Sequence, residues 1–392
     1  MRIGIVLSET PSYSETFFTN KIKGLQKHGF KVILFVQRKT PEFNLCTVQL
    51  APKVYKYNLL LMLMTGFTVF LKLVLNFKRS MEFIKLETNI GRPYKQILKN
   101  LYNNNHLLAA NLDWVHFGFT TMALQSEHVA KSIGAKMAVS FRGFDLDVYP
   151  LKHPRCYKLM WSQVNQVHSI SNYLLQKAYS IGMPKSIPYQ IIKPAIPILG
   201  YLEKHDQSKV SVFRMVTVAR LHWIKGLQDT LEALAILKSK RMAFKYSIIG
   251  SGEQYESLKY AISQLGIEDY VILEGQKTHE ETMALVKDSD IYIQYSYSEG
   301  FCNAVLEAQG SGLLCITSDG GGLKENIIHG KTGWIVPKRQ PKLLVEMILH
   351  VINLPDEEKN TIRGNAINHV KSNFDVKNQA EQFVKFYSEF VN

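Results

Sequence analysis

Two glutamates set the chemical question. In SEGFCNAVLEAQGSG (298–312), Glu299 and Glu307 are separated by seven residues, with a Gly-Phe pair after the first and a helix-like run leading into the second. On one helix that spacing would place them about 12 Å apart along the axis. A glycosidase acid and base stand only ~5–9.5 Å apart, so these two carboxylates are not expected to share one bond-breaking event. They suit two separate grips on a long polar ligand. Gly300 lets the backbone approach such a ligand closely. A helix opening near Asn303 turns its free N–H groups and positive dipole end towards the same place, a site for phosphate. The layout is a sugar at one end, a charged middle and a ribose at the other, which is that of a nucleoside-diphosphate sugar.

A diphosphate between those grips needs cations. VARLHWIKG (218–226) places Arg220 at the end of a strand and Lys225 in the loop beyond, one residue before Gly226. Arginine gives bidentate contact to phosphate, and lysine a compact charge that can stabilise a departing diphosphate. IIGSGE (248–253), with Gly250 at a strand-to-loop turn, is a weak signal alone, since such glycines often only end a strand. DGGGLKE (319–325) is another glycine turn, read as opening a helix, where backbone amides can meet a sugar or a phosphate.

Every one of these residues follows a short apolar run that reads as a strand. In the second half, strands are expected at 214–220, 246–250, 270–275, 290–296, 313–318 and 334–337. Helical patterns lie between them, over 227–238, 253–265, 279–287 and from about 303. The first half opens the same way: strand IGIVLS (3–8), loop TPSYSET, a helical run over 17–29 closed by Gly29, and strand KVILFV (31–36). That is one βαβ unit of a parallel sheet, and further strands are readable at 113–117, 136–141 and 166–170. The chain's 392 residues exceed a single core of roughly 250–300. The expectation is two doubly wound, Rossmann-like α/β domains, 1–200 and 201–375, joined by the irregular stretch near 197–210 and followed by a C-terminal segment, 376–392. A cleft between the carboxyl ends of their strands is where the ligand is expected.

Composition narrows the setting. A hydrophobic fraction of 46% with 20% charged residues is that of a soluble globular chain. Four scattered cysteines, Cys46, Cys156, Cys302 and Cys315, show neither CxxC nor a Cys/His ligand spacing, so a reducing compartment and no structural metal are expected. MRIGIVLSE is too short an apolar run for a signal peptide and reads as a first strand, so a cytoplasmic location is expected. The net charge of +14 is one-sided: residues 1–200 hold 25 Lys/Arg against 9 Asp/Glu, and residues 201–392 hold 22 against 24. A basic first half marks a face for an anionic partner. YNLLLMLMTGFTVFLKLVLNF (57–77) is expected as a helix of the first domain, with Lys72, Gly66 and two threonines weakening it as a span. The alternative is a helix in the membrane interface beside Lys53, Lys56, Lys78 and Arg79.

VARLHWIKG, IIGSGE and SEGFCNAVLEAQGSGLLCITSDGGGLKENIIHGKTGWIVP, in this order over about 120 residues, together resemble the nucleotide-sugar domain of retaining glycosyltransferases of family 4, which have the GT-B fold. Glu299 and Glu307 match that family's E-x7-E signature. PSYSETF (11–17), VHFG (115–118) and SFRGFDLDVYP (140–150) are similar, more loosely, to the branch that builds bacterial exopolysaccharides, of the colanic-acid type. The resemblance implies a metal-independent, retaining hexosyltransferase that uses a UDP- or GDP-sugar and needs no cofactor. Its acceptor would be a glycan or a lipid-diphosphate-linked glycan. Glu299, with backbone amides of Gly300 and Phe301, would hold the sugar hydroxyls, and Glu307 the ribose. Arg220 and Lys225 would neutralise the leaving diphosphate, and the base would lie by Gln276 and Lys277. The C-terminal helix (378–390) would cross back onto the first domain. One departure stands out: where the family often has His-Gly-x-Asp, this chain has Arg142, Gly143, Phe144 and Asp145. Arginine is always protonated and cannot be a general base, so Arg142 is assigned instead to a phosphate or the acceptor.

On the acceptor side, His116 precedes Gly118 near a strand end and is read either as lining that side or as a satisfied loop histidine. Glu15, in the first strand-to-helix loop, either orders the acceptor or caps the helix at 17. Two other classes are weighed. A nucleotide-sugar epimerase on the same scaffold needs no acceptor surface, which the basic half and 57–77 argue against. A nucleic-acid binder explains the charge, but no basic helix or interleaved aromatic platform supports it. An oxidoreductase is poor, as no GxGxxG follows the first strand.

Overall fold

The computed structural model describes residues 1–11, 16–55, 57–197 and 212–389. The chain divides into two compact units, Met1–Ile192 with Lys377–Asn392, and Lys193–Val376. The first junction falls eight residues before the 200 expected from sequence.

In the first unit the strands are β1 (Arg2–Val6), β2 (Lys31–Val36), β3 (Thr47–Leu50), β4 (Trp114–Phe117), β5 (Lys136–Phe141), β6 (Gln166–Ser169) and β7 (Tyr189–Ile191). In the second they are β8 (Phe213–Val218), β9 (Phe244–Ile249), β10 (Val271–Gly275), β11 (Ile291–Gln294), β12 (Leu314–Ser318) and β13 (Trp334–Val336). The helices of the first unit are α1 (Thr16–Lys27), α2 (Leu59–Leu75), α3 (Phe77–Asn89), α4 (Tyr94–Leu108), α5 (Val129–Ile133), α6 (Tyr149–Lys152), α7 (Lys158–Gln163) and α8 (Asn172–Ser180). Those of the second are α9 (Leu227–Ser239), α10 (Tyr255–Gln264), α11 (His279–Lys287), α12 (Asn303–Gly310), α13 (Pro341–Asn353) and α14 (Asp356–Asn373). The last helix, α15 (Val376–Ser388), starts at the edge of the second unit and lies in the first.

Both sheets are parallel, in the orders β3-β2-β1-β4-β5-β6-β7 and β10-β9-β8-β11-β12-β13. Near-continuous apolar strands are what a sheet covered on both faces requires. Alternation then sorts residues between faces. In the second unit Met215, Ile291, Ile293, Leu314 and Ile316 join the core shared with α9, α10 and α13. Their neighbours Val216, Tyr292 and Cys315 join the core shared with α11 and α12. In the first unit Ile3, Ile5, Trp114 and Ala138 pack with Phe383, Phe386 and Tyr387 of α15. That helix therefore completes the core of a unit whose other residues end at Ile192.

The apolar stretch 57–77 contains α2, and it lies on the surface. Only Val69 is buried along that helix. It meets α3 at an angle of 96°. Among the described residues no single helix is long and apolar enough to cross a membrane.

Candidate active site

In both sheets the strand order reverses direction beside the first strand of its unit, and such a switch point is where ligands of doubly wound folds bind, beyond the strands' carboxyl ends. In the second unit that point lies between β8 and β11. The loop after β8 carries Arg220 and Lys225, and the loop after β11 carries Glu299.

Glycine geometry brings the two loops together. Gly226 has φ +61°, and a Cβ there would lie 2.1 Å from the Tyr295 carbonyl oxygen, so no other residue lets the chain turn so close to the end of β11. The Tyr297 amide donates to the Ile224 carbonyl (2.7 Å) and fixes the contact. As a result the Lys225 ammonium donates to Oε1 of Glu299 at 2.5 Å, with both side chains largely buried. Burial opposes the charge on Lys225, but the Glu299 carboxylate outweighs it and raises the lysine above its ordinary range. The glycine turn after β12 docks onto the same loop: the Gly322 amide donates to the Glu299 carbonyl (2.7 Å). A Cβ on Gly322 would lie 2.1 Å from the Gly300 carbonyl oxygen. The helix expected after that turn is a single 3₁₀ turn, Gly322–Glu325.

Two residues missed in the sequence tune Glu299. Ser296 Oγ donates to Oε1 (3.0 Å), and Gln294 Nε2 donates to Ser296 Oγ (2.8 Å) and, more weakly, to the same Oε1 (3.5 Å). Tyr292 orients Gln294 through its hydroxyl (2.8 Å). The signal was present, since Gln294 and Ser296 are polar residues inside an otherwise apolar buried run. Every hydrogen bond the Glu299 carboxylate makes among the described residues ends on Oε1. Oε2 makes none among them.

Glu307 sits within α12, partly buried, with no side-chain hydrogen bond among the described residues. Burial pushes its carboxyl up to about 7. The N-terminus of α12 has no side-chain cap; instead Asn326 accepts from the Cys302 amide (3.1 Å) and donates to the Cys302 carbonyl (2.9 Å). This holds the helix start, with Asn303 as its first residue. Phe301 buries its ring against Phe374 (centroids 5.6 Å), so only its backbone can meet a ligand. Arg220 is exposed without a side-chain partner among the described residues and close enough to Lys225 to oppose its charge. Gly250 serves packing: a Cβ there would lie 2.0 Å from the Ala219 carbonyl oxygen. At the end of β10, Gln276 accepts a long bond from Ser251 Oγ (3.5 Å), and Lys277 pairs with Glu274 (3.7 Å).

The first unit corrects two expectations. His116 does not line an accessible surface. It is fully buried within β4, inside a closed hydrogen-bond chain. The Ile192 carbonyl can only accept, so His168 donates to it through Nε2 (3.0 Å) and accepts at Nδ1 from Ser140 Oγ (2.8 Å). Ser140 must then accept from His116 Nε2 (2.7 Å), and Tyr387 donates to His116 Nδ1 (2.6 Å). Burial first, then the nearby Lys21 charge, hold His116 well below its ordinary range, as a neutral ring. Lys21 is itself buried, 4.3 Å from the centre of the Phe383 ring. Asp145 is likewise no acceptor ligand. Its carboxylate accepts from the Thr120 amide (3.2 Å), the Thr121 amide (3.2 Å) and the Thr121 hydroxyl (2.7 Å). Asp147 takes the Tyr173 hydroxyl (2.7 Å). Arg142 stacks over Phe17 (3.9 Å). Glu15 lies outside the described residues. Among those residues no cluster of three or more His, Cys, Asp or Glu is placed to hold a metal.

The chain is similar to known glycosyltransferases in sequence and in fold. The amylovoran biosynthesis glycosyltransferase AmsK of Erwinia amylovora is 28% identical over 256 residues, covering 63% of each chain, a little under two thirds of that relative's length. WcaL of Escherichia coli (strain K12), named for colanic acid biosynthesis as a glycosyltransferase, is 23% identical over 397 residues, covering 95% of this chain and 96% of its own. The crystal structure of HepE from Anabaena in complex with UDP and glucose superposes with a TM-score of 0.72 at 16% identity, covering 100% of both chains. That likeness shows the fold, GT-B, with its two Rossmann-like parallel-sheet domains. Residues 203–369, which lie within the second unit and contain Arg220, Lys225, Glu299 and Glu307, match the family Glycosyl transferases group 1.

Proposed function

We propose that this protein is a retaining hexosyltransferase of family 4, moving a hexose from a UDP- or GDP-sugar to a glycan or lipid-diphosphate-linked glycan in bacterial surface-polysaccharide assembly. The observation that carries it is the Lys225–Glu299 pair at the switch point of the second sheet. One oxygen of Glu299 is held by Lys225 and Ser296, and the other faces a sugar hydroxyl. Lys225 and Arg220 take the diphosphate, helped by the N-terminus of α12, and Glu307 accepts from the ribose hydroxyls.

In the transfer, the bond from the anomeric carbon to the diphosphate oxygen breaks while the acceptor oxygen bonds to that carbon on the same face. The acceptor hydroxyl proton passes to the departing phosphate oxygen, so no protein base is required. Lys225 and Arg220 stabilise the charge that grows on the leaving group, which makes a divalent metal unnecessary. The basic first half supports peripheral contact with an anionic membrane on the cytoplasmic side, where a lipid-linked acceptor would be met.

A thermal-shift panel of UDP- and GDP-sugars tests the donor assignment, since a ligand of the native state raises its melting temperature. One nucleotide class should shift the transition and the other should not. No shift with either, at millimolar ligand, would remove the reading.

A further inference from the structure

We infer that α2 is a membrane anchor that lies in the boundary between headgroups and acyl chains of an anionic bilayer. This deepens the peripheral contact proposed above and does not depend on the donor site.

Three observations carry it. The first is how the apolar surface is distributed. All residues from 57 to 64 are exposed, and over 59–64 every side chain is Leu or Met. Six consecutive helical residues point in every direction around the axis, so the first turns of α2 are apolar all round. A protein groove takes a single stripe at i, i+3, i+4 and i+7; an apolar circumference suits immersion in lipid. Further along, one stripe returns to the protein through Val69 (6% exposed), while Phe67 (62%) and Leu75 (81%) stay outward.

The second is the state of the polar groups. Thr65 donates to the Leu61 carbonyl (2.7 Å) and Thr68 to the Thr65 carbonyl (2.8 Å). Asn58 accepts from the Leu61 amide (3.0 Å), and Asn76 donates to the Lys72 carbonyl (2.9 Å). The hydroxyls and the caps are satisfied inside the helix, as a water-poor surrounding demands.

The third is charge and geometry. Residues 51–100 hold nine Lys/Arg against two Asp/Glu, and one of those two, Glu87, is buried against Arg92 and His128. The surrounding surface therefore complements anionic headgroups. With 17 residues, α2 is about 26 Å long, shorter than a full crossing. The 96° turn into α3 ends its course. Arg79, donating to the Ala110 carbonyl (2.6 Å), ties α3 to the end of α4. The helix enters the interface and stays there.

The test sediments the full-length protein with vesicles of phosphatidylglycerol and phosphatidylcholine in equal parts, and with phosphatidylcholine alone, in low and in molar salt. The wild type should pellet with the anionic vesicles and remain largely bound in molar salt, because salt screens charges and leaves apolar burial intact. Leu63→Glu with Phe67→Glu should lower the partition about 100-fold at an unchanged melting temperature, since both side chains are exposed. Lys78→Gln with Lys85→Gln should weaken binding only in low salt. Equal sedimentation of the α2 variant, complete release of the wild type in molar salt, or no sedimentation at all would overturn the anchor. So would a vesicle-independent dimer dissolved by the α2 variant, which would give this face to a second copy. Loss of donor binding in other variants leaves the outcome untouched, so the two readings fail separately.

Discussion

Glu307→Gln has an outcome that can be worked out beforehand. Burial raises this carboxyl from its ordinary 4.5 to about 7. Between those values the folded protein keeps a proton that the unfolded chain has released. Stability from this group therefore falls as pH rises through the window and levels off above 7. At pH 8 the ionised, unpaired carboxylate costs about 3 kcal/mol, and at pH 5 under about 1 kcal/mol. Glutamine keeps the shape without the charge. The variant should therefore melt above the wild type by roughly 6–12 °C at pH 8, at about 2–4 °C per kcal/mol, with the gap narrowed to about 2–3 °C at pH 5. Thermal unfolding of donor-free protein from pH 5 to 8 reads this directly. A gap that does not change with pH, or a variant less stable at pH 8, would refute the reasoning. The same change should weaken the nucleotide sugar about 10- to 100-fold, because a charged acceptor for the ribose hydroxyls is gone. Gained stability tests the burial, and lost affinity tests the assigned role; together they would mark a residue kept for function at the expense of the fold.

Three further outcomes are expected. Lys225→Ala removes the partner of Glu299 and a cation of the leaving group, so turnover should drop at least about 100-fold while the protein stays folded, which an initial-rate assay on purified protein checks. Activity should be the same with and without EDTA; a loss restored by Mn²⁺ would show that Lys225 and Arg220 do not suffice. Tyr387→Phe removes the shorter of the two contacts to His116 Nδ1 and leaves the Lys21 ammonium at 3.3 Å, costing about 1 kcal/mol in denaturant unfolding, with donor affinity unchanged because neither Tyr387 nor His116 belongs to the second unit.

The strands that carry chemistry were legible because each is a short apolar run closed by glycine or a polar residue. The runs at 31–36 and 136–141 coincide with β2 and β5, and most others lie within two residues of the expected bounds. Strands β3 and β7 were not, since TVQL and YQI are short, mix polar with apolar residues and hold no fully buried position. Glu299, Glu307, Arg220 and Lys225 could be placed from strand ends alone. What sequence could not supply was contact at long separation. The 2.5 Å pairing of Lys225 with Glu299 depends on a backbone approach 74 residues away. Which of the two readings of His116 holds, the satisfied histidine, could not be decided for the same reason, as its partner Tyr387 is 271 residues further on.

The last helix imposes an order on biogenesis. Phe383, Phe386 and Tyr387 fill the core of a unit whose preceding residues end at Ile192. On the ribosome the first unit waits through the synthesis of nearly two hundred further residues before that face can close, with Trp114 and the buried histidines meanwhile uncovered. Such distant closure makes for slow maturation and a need for chaperone shelter. A nonsense mutation in the codons of α15 would injure the first unit, far away in sequence, leaving the second intact beside a partner that never sets.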